Sequence, residues 1–234
     1  MRRWALAAAV LSLCLGAAGA VAAAPPDNGI AAKPPNAILA AALAAGEHSH
    51  SVRVVGNVVN GGTPGRIDVR FAGNALAGRL SERGVGFDVV VTGGEVYVRG
   101  GASFWKTTGG TTHPAVIRLF ADRWVASSAT TGSFAKLARS FRLRSLLRSL
   151  AASHGNLTLG GRTTIHGHPA IALKDATQGG SLYVATTGPP FPLSIQEPKG
   201  AGYDSGRVDF EGWNAAFAIK APASYLDLDK LKKP

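Results

Sequence analysis

The chain has 234 residues, with 25 Lys+Arg against 14 Asp+Glu, a formal net charge of +11, and one cysteine. A lone cysteine excludes an internal disulfide framework. The strong basic balance points toward anionic partners.

The N-terminus reads as a secretory leader. Arg2-Arg3 precede an apolar stretch from Trp4 to Leu15, and a run of small residues follows from Gly16 to Ala24. Ala18-Gly19-Ala20 and Ala20-Val21-Ala22 both fit a cleavage site, which sets residues 1–22 as a signal peptide. Its apolar part is shorter than the ~20 residues a membrane span requires. Cys14 lies inside the leader. Ordinary cleavage removes it, and with it any thiol chemistry; cleavage at a lipobox would instead make it a lipidated first residue. Leu11 and Ser12 suit a lipobox, but Leu13 stands where a small residue is wanted, which argues against lipidation.

Loss of Arg2 and Arg3 with the leader leaves 23 Lys+Arg against 14 Asp+Glu, a net of +9. The remaining length suits one domain of an open or barrel-like β type. The charge is uneven: from Arg123 to Lys174 there are eight basic residues and no acidic one. In an exported protein such a block meets an anionic membrane surface or an envelope polymer, or serves as a solvated face. No aromatic–basic motif for nucleic acid accompanies it.

Residues 23–35 hold Pro25, Pro26, Pro34 and Pro35 with Asp27, Asn28 and Gly29, the composition of a tether. The folded domain then spans residues 36–234. Asn36 is placed to cap a helix over 37–45 that Gly46 stops. Strands are expected at 51–59, 66–72, 75–81, 85–91, 95–99 and around 123–127. Ile67, Val69 and Phe71 alternate with Arg66, Asp68 and Arg70. Val89 and Val91 lead through Thr92-Gly93-Gly94, a hairpin turn, to Val96 and Val98, with Glu95, Tyr97 and Arg99 on the opposite, outward face. The segment 133–153 is helical, with Ser133 as N-cap. Phe134, Leu137, Ala138 and Phe141 project to one side and Leu143, Leu146, Leu147 and Leu150 to the other, so the stripe swings near Arg142 and predicts two short helices or a bent one. Strands resume at 157–159, 162–166, 170–174, 181–185, 192–197, 206–211 and 216–220. The fold class is α+β: a long curved antiparallel sheet, a half-open β-barrel, with a few short helices covering its concave face.

No catalytic signature stands out: there is no Gly-x-Ser-x-Gly, His-Glu-x-x-His, P-loop or dinucleotide fingerprint. His48/His50 and His166/His168 each sit two apart, but neither pair has further ligands at zinc-site spacing, and both read as solvated strand ends. No metal, no cofactor and no enzymatic activity are expected.

The order of motifs resembles the LolA-like fold, and within it the LppX-LprAFG type of envelope lipoprotein. A Pro-rich segment and short helix run into Ser51-Val52-Arg53-Val54-Val55-Gly56. The hairpin from Gly93 to Gly100 is followed by Phe104-Trp105 and then Arg123-Trp124-Val125. Ile165-His166-Gly167-His168-Pro169-Ala170, Leu182-Tyr183-Val184-Ala185, Pro190-Phe191-Pro192-Leu193 and Ala221-Pro222 complete the series. The resemblance implies a half-open barrel that holds lipid or lipoprotein acyl chains in a hydrophobic cavity and carries them across the bacterial cell envelope. On that reading the protein is monomeric and exported, in the periplasm, at the outer face of the plasma membrane, or secreted. The cavity wall is then Ile67, Val69, Phe71, Phe87, Val89, Val91, Val96 and Val98, with Phe134, Leu137 and Phe141 as helix-side cover. Arg139, Arg142, Arg144 and Arg148 are candidates to hold an anionic headgroup or touch a membrane. The alternative is a structural or sensory envelope module of the same fold, with a filled core and a protein partner.

Overall fold

The computed structural model describes residues 25–60, 62–107, 113–152, 154–197 and 205–231; the leader and Cys14 lie outside them. Twelve strands form one sheet in the order β12-β6-β5-β4-β3-β2-β1-β11-β10-β9-β8-β7, which does not close. The first six, β1(Ser51–Asn60), β2(Thr63–Ala72), β3(Ala75–Glu82), β4(Val85–Thr92), β5(Glu95–Gly100) and β6(Val125–Ser128), are an antiparallel meander. A second meander, β7(Leu157–Ile165), β8(His168–Asp175), β9(Ser181–Ala185), β10(Pro192–Glu197) and β11(Ser205–Glu211), joins the first where β11 pairs with β1. The pair β12(Leu226–Asp227)–β6 is parallel, so the sheet is mixed rather than wholly antiparallel.

Turn chemistry sets the meander. Gly93 and Gly94 take φ of +61° and +81°, the left-handed pair a two-residue hairpin turn requires, and register Thr92 against Glu95. Strand alternation then places Val52, Val54, Val69, Val89, Val96, Val98 and Val125 on the inner face in one apolar cluster. The outer face of the same strands is a ladder of ion pairs. Arg53 meets Asp68 at 2.8 Å and Glu211 at 3.1 Å, and Asp88 takes both Arg79 and Arg99 at 2.9 Å.

Helix α1(Pro35–Glu47) begins at Pro34 rather than Asn36, because Pro35 with its fixed φ occupies the first turn. Gly46 lies inside α1 and does not stop it. Ile38, Leu39 and Ala42 bury against Ile171, Leu173 and Val184, so α1 covers the second meander. Two helices that strand periodicity does not reveal, α2(Ala102–Thr107) and α3(Pro114–Phe120), fill the connection from β5 to β6. Trp105 is fully buried there, between Phe104, Phe120 and Phe134.

The helical segment splits as expected into α4(Ala135–Ser140) and α5(Leu143–Ala152), broken at Phe141 and Arg142. Phe134, not Ser133, is the N-cap, and the Ser133 amide donates to Ser127 Oγ instead. Strands expected at 157–159 and 162–166 are one strand with a register shift between Leu159 and Arg162.

Two segments behave differently from expectation. The proline-rich stretch read as a tether is docked from Asp27 to Lys33. Asn28 Nδ2 donates to the carbonyls of Ala185 and Gly188, Asp27 pairs with Arg162, and Ile30 is buried in a 3₁₀ turn. Residues 216–220 are not a strand, because both neighbours of β11 are already taken. Gly212 to Tyr225 forms an irregular strap that ends at β12 and α6(Leu228–Leu231). Ile219 packs on Val90, Tyr97 and Ala126 of the outer face.

Candidate functional site

In an up-and-down meander, alternate turns fall at the same end of the sheet. The β2–β3 turn at Gly73-Asn74 and the β4–β5 turn at Gly93-Gly94 share one end with Ala129-Thr130 after β6. A cavity of about 830 Å³ opens among them, a size within the range of small-molecule sites. Phe71, Val91, Ala138, Phe141 and Leu143 give it apolar surface; Glu47, Ser49, Arg142 and Arg144 give it a polar and charged part. The α4–α5 junction forms one side, and the end of α1 another.

The topology explains why helices lie here. Strands β6 and β7 sit on opposite flanks of the sheet, so the chain between them must traverse the inner face. That traverse is α4–α5. Ala135, Ala138 and Leu147 are its buried residues among the described side chains, and Leu147 is seated against Gly46 of α1. Arg148 Nε approaches Glu47 Oε1 at 3.4 Å and ties α5 to the end of α1.

All eleven expected wall residues join one apolar cluster, but at different depths. Phe71, Val91 and Phe141 border the cavity. Val69, Val89, Val96 and Val98 are sealed below it at 0% exposure. Ile67, Phe87, Phe134 and Leu137 are partly buried against the same cluster; Phe87 stacks on Phe104 at 4.8 Å, and Phe134 lies 6.4 Å from Trp105. Among the expected headgroup residues, Arg142 and Arg144 line the cavity, Arg148 pairs with Glu47, and Arg139 is exposed on α4.

Tyr97 does stand on the outer face, opposite Val96 and Val98, yet it is only 5% exposed. Tyr225 of the strap packs edge-on to its ring at 5.0 Å, and burial, with the neighbouring Tyr225, pushes its phenol above the ordinary range. Glu95, in the same region, is also pushed up, first by burial and then by the carboxylates of Asp227 and Asp229. The strap closes the β6 flank as well: Asp229 accepts from Ser127 Oγ and from the Ser128 amide.

The histidine pairs do not converge. His48 Nδ1 lies 2.7 Å from the Ala44 carbonyl oxygen, and His166 Nε2 lies 3.2 Å from Asp209 Oδ1. No cluster of three metal-ligating side chains occurs among the described residues. Ser194 faces Asp209 across β10–β11, which places Ser, Asp and His in one neighbourhood. The carboxylate stands between the buried Ser194 hydroxyl and the His166 ring. A nucleophile needs the ring, not the carboxylate, beside its hydroxyl.

The sequence reading missed Glu47, Ser49, the Gly73-Asn74 and Ala129-Thr130 turns, and Leu143 as cavity residues. The parity of the hairpin turns was the available signal, since it collects these turns at one end. No helix among the described residues is long and apolar enough to cross a membrane.

No family model matches the sequence, and no curated protein matches it. Among solved structures, LprF from Mycobacterium bovis superposes with a TM-score of 0.52 at 16% identity, covering 86% of this chain and 100% of LprF. The lipoprotein LppX from Mycobacterium tuberculosis gives 0.47 at 19% identity, covering 79% of this chain and 99% of LppX. An uncharacterised conserved protein from Thermus thermophilus gives 0.41 at 12% identity, with 83% and 98% covered. The long open sheet with its crossing helices is therefore the fold of LprF, the fold type that the order of sequence motifs implied.

Proposed function

We propose that the protein is an exported, non-enzymatic lipid carrier of the bacterial cell envelope, which holds acyl chains beneath α4–α5. One observation carries this reading: a cavity of about 830 Å³ with Phe71, Val91, Phe141 and Leu143 along it and Arg142 and Arg144 beside them. Transfer of a chain from water into such a site gains about 0.8 kcal/mol per CH₂, so affinity needs no dedicated polar clamp. The two guanidiniums supply charge-assisted bonds for an anionic or hydroxylated headgroup at the same place. The shared fold with LprF supports the architecture of such a carrier.

The filled-core module has one observation in its favour. Below the cavity the inner face is packed solid by Trp105 with Val89, Val96 and Val98. Mass spectrometry of organic extracts of the purified full-length product decides between the two. The carrier reading expects co-purified lipid at close to one per protein, and uptake of a fluorescent fatty acid after delipidation. Absence of both overturns it in favour of the module.

A further inference from the structure

We infer that the basic outer side of α4–α5 docks the protein onto an anionic lipid bilayer, with the cavity mouth at headgroup level. This rests on the reading of the cavity as an acyl site, but its evidence is separate. Elsewhere five arginines are neutralised locally: Arg53 by Asp68 and Glu211, Arg79 and Arg99 by Asp88, Arg207 by Asp209, and Arg162 by Asp27. Arg66, Arg70, Arg83, Arg118 and Arg123 make no ion pair among the described residues, and they are spread over β2, the β3–β4 turn, α3 and the chain before β6. The lid formed by α4–α5 and their junction gathers three such arginines on one short stretch of chain. Arg139, Arg142 and Arg144 are all exposed and make no ion pair among the described residues. The chain between Arg123 and Lys174 offers no acid to them. Glu47 is the carboxylate on the cavity lining, and it lies against Arg148.

Location separates a docking face from a merely solvated one. Arg139, Arg142 and Arg144 lie close together along the chain, and two of the three border the cavity itself. Leu137, Ala138, Leu146 and Leu147 of the same helices turn into the core, so among the described side chains the outward side of α4–α5 is charged rather than apolar. A protein partner would call for an apolar centre to the patch. The exposed large apolar residues Leu119, Leu159, Tyr225 and Leu231 lie on other elements. A bilayer asks for no such centre. It attracts diffuse positive charge through its surface potential, by about fivefold in affinity for each basic side chain brought near it.

The test uses flotation of the full chain, expressed with its leader, on phosphatidylglycerol-containing and pure phosphatidylcholine vesicles. Binding is expected on the anionic vesicles alone, and is lost at high salt, where screening shortens to about 3 Å. The triple variant R139Q/R142Q/R144Q is expected to bind about a hundredfold more weakly, three side chains at about fivefold each. A charge-matched control, R66Q/R70Q/R123Q, removes three exposed arginines away from the lid and is expected to bind like the parent. Equal binding to both vesicle types, equal loss in the control, or full binding by the lid variant each overturns the inference. Lipid co-purification is scored on the same samples. Docking with neither co-purified lipid nor fatty-acid uptake after delipidation refutes the cavity reading and supports the docking face, whereas lipid without docking refutes the docking face alone.

Discussion

Leu147 pins the lid to the body of the protein. Its side chain is 0% exposed, and its Cδ1 lies 2.9 Å from where a Cβ on Gly46 would stand. Helix α5 therefore rests on α1 at a separation that depends on residue 46 having no side chain. Leu147→Ala removes three buried carbons, about 2.4 kcal/mol at ~0.8 kcal/mol per CH₂. The void left behind raises the cost to about 3–4 kcal/mol. For a chain of this size that lowers Tm by about 6–15 °C, measured by circular dichroism melts.

The sharper assay is the double-mutant cycle with Gly46→Ala. Alone, Gly46→Ala gains about 1 kcal/mol of helix propensity. That gain is offset by crowding against Leu147 Cδ1 and by Trp213 Cη2 at 3.3 Å, so the net change is close to zero. With Leu147 truncated, the added methyl enters vacated space and recovers about 1–2 kcal/mol, from propensity plus one buried carbon. The coupling expected is thus about 1 kcal/mol or more, against the ~0.5 kcal/mol within which independent sites add. Equal effects of Gly46→Ala in both backgrounds, or a Tm lowered by less than about 2 °C in Leu147→Ala, would refute the seating of α5 on Gly46.

Three further outcomes follow from the same structure. A Cβ on Gly78 would lie on the Asp68 carbonyl oxygen and 2.5 Å from Val69 Cα, both backbone atoms that no rotamer change can move. Gly78→Ala is expected to cost at least about 3 kcal/mol, read as a lower urea midpoint. Glu95 has its native pKa raised by burial and by Asp227 and Asp229, so its ionisation opposes folding at pH values above that native pKa and has no effect below the ordinary value of 4.5. Glu95→Gln should therefore raise Tm at neutral pH, with the gain vanishing in melts run below about pH 4. Asp68 is held below its ordinary 3.8 by the hydrogen bond from Arg53. Its contribution is complete above the unfolded value and is lost as pH falls through the lowered native one, so Asp68→Asn should lower Tm at neutral pH and flatten the acid limb of the Tm–pH curve.

Strands were legible where alternation was strict. Arg66 to Phe71 and Glu95 to Arg99 each assign a face from period two, and the structure keeps both assignments. The break in the lid at Arg142 was equally visible as a swing in the apolar stripe. What alternation cannot give is depth. It puts Val91 and Val96 on the same face, yet Val91 borders the cavity while Val96 is sealed, because their neighbours arrive from remote segments. Docking of the proline-rich stretch is invisible for a similar reason: Asn28 bonds to carbonyls of Ala185 and Gly188, 157 and 160 residues away. Tyr97 reads as an outward residue because Tyr225, which covers it, lies in a strap without pattern. Helices α2 and α3 escape because 6 and 7 residues are too few for a helical period to register.

The position of the cavity can be traced to topology more than to any one side chain. Ten inter-strand steps separate β6 from β7, about 48 Å in a flat sheet at ~4.8 Å per step. The 6-residue α4 and 10-residue α5 rise only about 24 Å together at ~1.5 Å per residue. Two helices of that length cannot cover the whole inner face. Helix α1 fills the side of the second meander, and Trp105 with α2 and α3 fills the end of the first that is remote from Gly93-Gly94. Space is left at the turn end, under the joint between α4 and α5. The side chains then divide the labour. The sealed valines and Leu147 govern whether the sheet and lid hold together, while Phe141, Arg142, Leu143 and Arg144, at the joint, are the side chains proposed to meet an entering ligand. Substitutions in the first group should therefore be read in melts, and those in the second in ligand recovered, with little crossing between the two.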